Sequence, residues 1–320
     1  MGNKALNAGA GLGKEGIMMK LIEIKEIEAL SIAEKMCVPS HSDEETFVTH
    51  DRLKNIEEEL KDTAYKCVNT EEGNNNVIFK MYAKKPIGEI EGRILLVSSH
   101  ADCLQRGKVF EKEMPGHPER MLGIFDNAIT NAACVYLMKH CDIPENVVFA
   151  FTGDEENKQN GAKEVCKYLN KKFKKKFNAF VLDCTCSGFE EKFDFTLEND
   201  FIYKKDEKWL KRFIKYLLEL QLKWVFVPAR EDQKSENPDD YIASEEIKKQ
   251  ISSLHLCKDD KADGDESYEY DEGDNSCISL CMPCDAGDLD KMHNEKGFGI
   301  RRKSYYNYIK VLHLLCQIEV

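Results

Sequence analysis

A chain of 320 residues with 42% hydrophobic and 9% aromatic content can bury a sizeable core, which excludes a disordered or fibrous protein. Its formal charge of −12 excludes the basic face that non-specific nucleic-acid binding needs, and suits a soluble enzyme whose substrates carry positive charge. No apolar run is long enough to span a bilayer, so no membrane partner is expected.

The first twenty residues lack the apolar core of a secretory signal, and Leu6 stands where a myristoylation signal would carry Ser or Thr. Thirteen cysteines, odd in number and scattered through apolar segments, fit the reduced thiols of a cytoplasmic enzyme better than a disulfide framework. Residues 1–18 are expected to be a flexible tail, and residues 19–320 a single catalytic domain. Composition leaves self-association into a homo-oligomer open.

In chain order, the apolar residues between Leu21 and Met36 suggest an amphipathic helix. A second helix, carrying Phe47, Leu53, Ile56 and Leu60, is expected to follow a Ser42-x-x-Glu45 capping signal. Residues 75–84 alternate like a half-exposed strand. Residues 93–99, 146–152, 178–184 and 276–282 are short, nearly continuous apolar runs, as strands buried on both faces are. Helical segments at 126–141 and 160–173 lie between them, and 206–222, 224–228 and 303–318 add a helix, a strand and a closing helix. This strand–helix alternation predicts an α/β fold, a three-layer αβα arrangement around a mostly parallel central sheet. From about 230 to 275 the composition becomes strongly charged, and the expected reading is a solvated excursion, with a substrate-attracting rim as the alternative.

Open α/β sheets bind ligands beyond the carboxyl ends of their strands. In this chain those positions carry chemistry. His100-Ala101-Asp102 follows the first buried run, Asp154-Glu155-Glu156 follows the second, and Asp183 closes the third. Asp126 opens the helix after the first strand, and His293 lies in the loop after the last. Each could be explained singly, Asp126 as a helix cap for instance. Asp183, inside an apolar strand, needs a partner or a metal, because a bare buried carboxylate is too costly. Two histidines and three carboxylates suit zinc, with cobalt or manganese as other occupants, and a shared carboxylate suits two divalent ions. Of the adjacent glutamates, one can bind metal while the other takes a proton from water.

This order of residues, with Asp126 in a G-x-x-D-N-A context, resembles the co-catalytic zinc exopeptidases: aminopeptidases and related carboxypeptidases and deacylases on a phosphorylase/hydrolase-like sheet. The resemblance spans roughly residues 90–320. It implies that His100, Asp126 and Asp183 hold one zinc, and that Asp126, Glu156 and His293 hold the other, Asp126 bridging. It further implies Glu155 as general base and Asp102 as the carboxylate that fixes the His100 ring. The 110 residues between Asp183 and His293 and the 26 between His100 and Asp126 leave little room for the inserted domains of other branches (293 − 183 and 126 − 100). A single-domain aminopeptidase acting on peptides is therefore expected.

The alternatives are a deacylase or carboxypeptidase acting on N-acyl amino acids or C-termini, with Arg301 or Arg302 gripping a carboxylate, and a non-catalytic binding protein of the same fold. A single-zinc acyltransferase that cyclises N-terminal glutamine fits the full ligand set less well. His117 and Arg120 are candidates to line the pocket. The remaining histidines, His41, His50, His140, His255 and His313, have no ligand context. Gly11-x-Gly13-x-x-Gly16 follows no strand and is read as chance, and Cys277, Cys281 and Cys284 are read as packing rather than as a cluster motif.

Overall fold

The computed structural model describes residues 21–41, 47, 50–69, 78–198, 207–220, 222–227, 265–270, 275–287 and 292–318. The 1–18 tail and the Ser42-x-x-Glu45 signal lie outside these residues, as does most of the 230–275 segment.

The four apolar runs are strands β3 (Ile94–His100), β6 (Val147–Thr152), β7 (Phe177–Thr185) and β10 (Ser276–Pro283), and all are buried. They form the parallel centre of an eight-stranded sheet ordered β1-β2-β6-β3-β7-β10-β8-β9. Here β1 is Lys66–Cys67, β2 Phe79–Ala83, β8 Phe195–Glu198 and β9 Trp224–Val227. A small antiparallel sheet joins β4 (Phe110–Glu111), β5 (Arg120–Gly123) and β11 (Phe298–Arg301) in the order β11-β5-β4. The helices are α1 (Glu26–Met36), α2 (Asp51–Leu60), α3 (Ala128–His140), α4 (Asn160–Cys166), α5 (Glu207–Glu219), α6 (Ser267–Tyr270) and α7 (Arg302–Cys316).

The strand runs are continuous because alternate residues feed two cores. Leu95, Val97, Phe149, Phe180, Leu182, Ile278 and Leu280 pack with α1, α2, α3, α5 and α7. Ile94, Leu96, Val148, Ala150, Ala179, Val181 and Cys277 pack with Ala162 and Val165 of α4 and Tyr270 of α6. The expected αβα layering follows from this period of two, with apolar cover on both faces. Cys277 and Cys284 belong to opposite layers, so the thiols of the C-x3-C-x2-C run do not converge, and all described cysteines are free.

The chain order creates the crevice. From β3 the chain passes through α3 to β6 on one side, then returns through α4 to β7 on the other. Right-handed crossovers in opposite directions place α3 and α4 on opposite faces, and the carboxyl ends of β3, β6 and β7 open between them.

Three expectations change. Strand β2 is buried throughout rather than half-exposed; even Lys80 is covered, with Nζ reaching Glu57 Oε2 at 3.2 Å. Helix α2 starts later than expected and is capped by His50, whose ring accepts from the Leu53 amide. The acidic excursion is not solvated where it is described: Asp265 and Glu266 are 5% and 1% exposed. Among the described residues no helix is long and apolar enough to cross a membrane.

Candidate metal centre

His100 ends β3, the Glu155-Glu156 pair follows β6, Asp183 lies near the end of β7 and His293 follows β10. Asp126 and Asn127, joined by a cis peptide bond, stand immediately before α3. Two glycines let the glutamate loop sit close to the sheet. A Cβ on Gly161 would lie 2.5 Å from the Gly153 carbonyl oxygen, and one on Gly153 would strike the Phe47 ring at 2.5 Å. Gly161, in the first turn of α4, donates its amide to Gly153 O at 3.0 Å.

The folded chain brings all these groups together. His100 Nε2 lies 3.3 Å from Asp126 Oδ1 and 3.4 Å from Asp183 Oδ1. His293 Nε2 lies 3.4 Å from both Asp126 Oδ2 and Glu156 Oε2. Two trios thus form, His100–Asp126–Asp183 and Asp126–Glu156–His293, and Asp126 gives one oxygen to each. Ligands held at about 2.0–2.1 Å around a tetrahedral zinc stand about 3.3–3.4 Å from one another. The four histidine–carboxylate distances have this spacing. Asp126 Oδ1 and Glu156 Oε1 are also buried without a hydrogen-bond donor, although His100 Nε2 is within 3.3 Å of the former. Nitrogen and oxygen lone pairs converging without a shared proton fit a cation between them.

The Glu155 carboxylate belongs to neither trio. Its Oε2 stands 4.0 Å from His100 Nε2, beside the first trio. Behind His100, the nearer acceptor for Nδ1 is the Asp102 carbonyl at 3.1 Å, and the Asp102 carboxylate Oδ1 lies at 3.5 Å. The main chain therefore shares the orienting role that was expected of the carboxylate alone.

Electrostatics follow from burial and crowding. Burial pushes Glu156 up to about 8, Asp126 adding to it, and pushes Asp183 up to about 6. Glu155 is driven well up, again chiefly by burial. For Asp126 burial acts upward too, but the His100 and His293 rings outweigh it and hold the carboxyl below the ordinary range. The His293 ring is raised mainly by its contact with Asp126. So many acids remain ionised together at neutral pH only with added positive charge, which divalent cations supply.

Several supporting groups carried no sequence signal. Asn127 Nδ2 donates to Asp183 Oδ1 at 3.0 Å and to Leu182 O at 2.7 Å, fixing the β7 ligand. Asn131 Nδ2 donates to His100 O at 2.9 Å. Ser98 Oγ donates to Glu266 Oε2 at 3.3 Å, and burial pushes Glu266 up to about 8. Only the DNA tripeptide at 126–128 could have pointed to Asn127.

The side candidates have partners outside the two trios. His117 sits 3.8 Å from Glu119 Oε1. Arg120 pairs with Asp285 at 3.0 Å, and both Arg120 and Arg301 lie over the Phe189 ring. Arg302 Nη1 is 3.5 Å from Glu113.

Residues 76–278 of the chain match Peptidase family M28. No curated protein matches by sequence. Among solved structures, LapA of Legionella pneumophila has a TM-score of 0.58 at 10% identity, covering 95% of this chain and 79% of that one. The TET1 peptidase of Pyrococcus horikoshii, which can assemble into a tetrahedron or a large octahedral shell, has a TM-score of 0.57 at 13% identity, covering 92% and 100%. A tripeptidase of Staphylococcus aureus has a TM-score of 0.51 at 12% identity, covering 92% and 99%. At such identities the likeness is one of fold. The family match covers well over half of the sequence, so the chain belongs to Peptidase family M28 and is a zinc-dependent peptide hydrolase.

Proposed function

We propose that the chain is an aminopeptidase that holds two zinc ions, one through His100, Asp126 and Asp183 and the other through Asp126, Glu156 and His293. The observation that carries the reading is the division of Asp126, whose two oxygens face different histidines at 3.3 and 3.4 Å. When bound, the ions would polarise the scissile carbonyl and make water a competent nucleophile near neutral pH.

The protein groups do the rest. Glu155, beside the first trio but a member of neither, takes the proton of the attacking water and returns it to the leaving amine. Its burial suits this traffic, since a desolvated carboxylate holds a proton more readily than an exposed one. The Asp102 carbonyl keeps the proton of His100 on Nδ1, leaving Nε2 as a donor of its lone pair. Asn127 keeps Asp183 turned toward His100.

The excess of carboxylates favours a substrate with a free α-ammonium over one with an acyl cap or a carboxylate near the reacting bond. Arg301 and Arg302, the carboxylate grips of the alternative reading, are engaged with Phe189 O and with Glu113. We also read residues from about 19 to 320 as one catalytic domain. Supporting this, the eight strands of the central sheet are drawn from Lys66 to Pro283, and α7 packs into the same core as α1 and α3.

The test is metal content together with a substrate panel. Protein purified without chelator should carry two zinc ions per chain and cleave aminoacyl reporters in preference to N-acylated ones. Asp126→Ala should lose both ions and fall to background activity. Preference for N-acylated substrates, or an Asp126→Ala variant that retains two ions, overturns the reading.

A further inference from the structure

Helix α2 carries a charge that nothing in the catalytic reading uses. Arg52 is the second residue of this helix and is completely buried, with 0% exposure. A helix N-terminus disfavours a cation, and a buried guanidinium ordinarily pairs with a carboxylate. Among the described residues Arg52 forms no salt bridge. It donates instead to four main-chain carbonyls. Nε reaches Met36 O at 3.0 Å and Nη2 reaches Val38 O at 3.4 Å, both at the C-terminal end of α1, where exposed carbonyls attract positive charge. Nη1 reaches Ala101 O at 3.0 Å and Asp102 O at 3.4 Å.

The second pair matters because of what those peptides hold. Asp102 O is the oxygen that His100 Nδ1 meets at 3.1 Å, so a single carbonyl is shared by Arg52 and the ligand ring. The same segment is tied at other points: the Ala101 amide donates to Thr152 O at 2.7 Å, Ser40 Oγ donates to Ala101 O, and the Cys103 amide donates to Ser40 O at 2.7 Å. Of these groups only Arg52 touches both carbonyls at once. A rigid planar fork can fix the two successive peptides in orientation as well as in distance, which a lysine ammonium cannot.

We propose that Arg52 is a positioning residue for the metal centre: it holds the Ala101–Asp102 carbonyls so that Asp102 O receives His100 Nδ1 and His100 Nε2 faces Asp126 and Asp183. The proposal rests on the ligand sets of the preceding section. It also makes the two trios respond differently, because the carbonyl that Arg52 holds meets His100, a member of the first trio alone.

The experiment compares full-length wild type, Arg52→Met and Arg52→Lys by zinc titration against a chromogenic chelator, alongside thermal unfolding and kcat and KM. Arg52→Met should weaken one of the two zinc sites about 10–100-fold, the scale on which groups behind a ligand tune affinity. The other site should change less than about threefold. The same variant should lower kcat more than KM, and Arg52→Lys should recover part of the affinity. Two unchanged affinities in folded Arg52→Met, or equal weakening of both sites, overturn the proposal. Should Arg52→Met fail to fold, Arg52→Lys decides by the same two criteria. The titration needs no turnover: a chain that binds two zinc ions but cleaves no aminoacyl substrate defeats the aminopeptidase reading and leaves this test intact.

Discussion

The two halves of the proposed metal centre are built differently. His100 and Asp183 sit on β3 and β7, adjacent strands of the central sheet, and His100 is 3% exposed. Their backing is dense: Asp102 O, Asn127, Asn131 and, through the main chain, Arg52. Glu156 and His293 lie on loops, and the His293 side chain is 29% exposed. His293 meets Asp126 at 3.4 Å, much as His100 does at 3.3 Å, but among the described residues Glu156 and His293 have no comparable hydrogen-bonded support. A ligand on a braced strand keeps its geometry before a metal arrives, whereas a ligand on a loop gives up conformational freedom on binding. The comparison teaches that the first trio stands on the braced framework of the sheet and the second on loops, where His293 is the most exposed of the five side chains.

The largest effect should come from the group that belongs to neither half. Glu155→Gln should lower kcat by about 10²–10⁴-fold, the usual range for a lost general base, while zinc content stays at the wild-type level. Full activity in that variant would remove Glu155 from the mechanism. The contrast between the halves is sharpened by stepwise metal removal. Dialysis against a graded chelator should release one ion first, from a site about 10–100-fold weaker. His293→Ala should retain only the tightly held ion. Simultaneous release of both ions, with His293→Ala losing both, would break the comparison.

A third prediction concerns the loop half alone. In Gly161→Ala the new Cβ meets the Gly153 main chain at 2.5–2.6 Å, where no side chain can give way. The strain should destabilise the fold by about 1–3 kcal/mol, measured by denaturant unfolding, and should disturb the second metal site more than the first. The last effect concerns a residue that belongs to neither trio, on β8. Burial pushes Glu198 from an ordinary 4.5 up to about 8, despite a bond from Thr196 Oγ1 at 2.5 Å. Folding therefore binds its proton more tightly than the unfolded chain does. Its contribution is complete below about pH 4.5 and is lost as pH rises through about 8. Glu198→Gln keeps an acceptor for Thr196 but cannot ionise. It should match wild type near pH 5 and exceed it by about 1–3 kcal/mol near pH 9. A constant difference across that range would refute the assignment.

Much of the site was legible because its chemistry interrupts apolar runs. A charged residue at the end of RILLVSS, NVVFAFT or NAFVL is conspicuous, and in a parallel sheet every such end lies on the same rim. The large strands were legible for the same reason. Strands β8 and β11 were missed because their four residues, FTLE and FGIR, mix apolar with polar or glycine residues, whereas the equally short β9 is wholly apolar, and the cap of α2 was missed because a histidine serves in place of the usual Ser, Thr, Asp or Asn. The acidic run was misread at Asp265 and Glu266 because composition reports charge but not cover.

By itself the sequence determined the layer architecture and the acidic and imidazole side chains that stand at the strand ends, since both follow from periodicity along the chain and from residue type, while the separate role of Glu155 came from the family resemblance. Only the tertiary structure decided which oxygen of Asp126 faces each histidine, that Asp102 meets His100 most closely through its carbonyl, and that Arg52 stands behind them. Those facts depend on distances between segments far apart in sequence and on backbone oxygens. Every residue carries such an oxygen, so no pattern of side chains can reveal which ones are used.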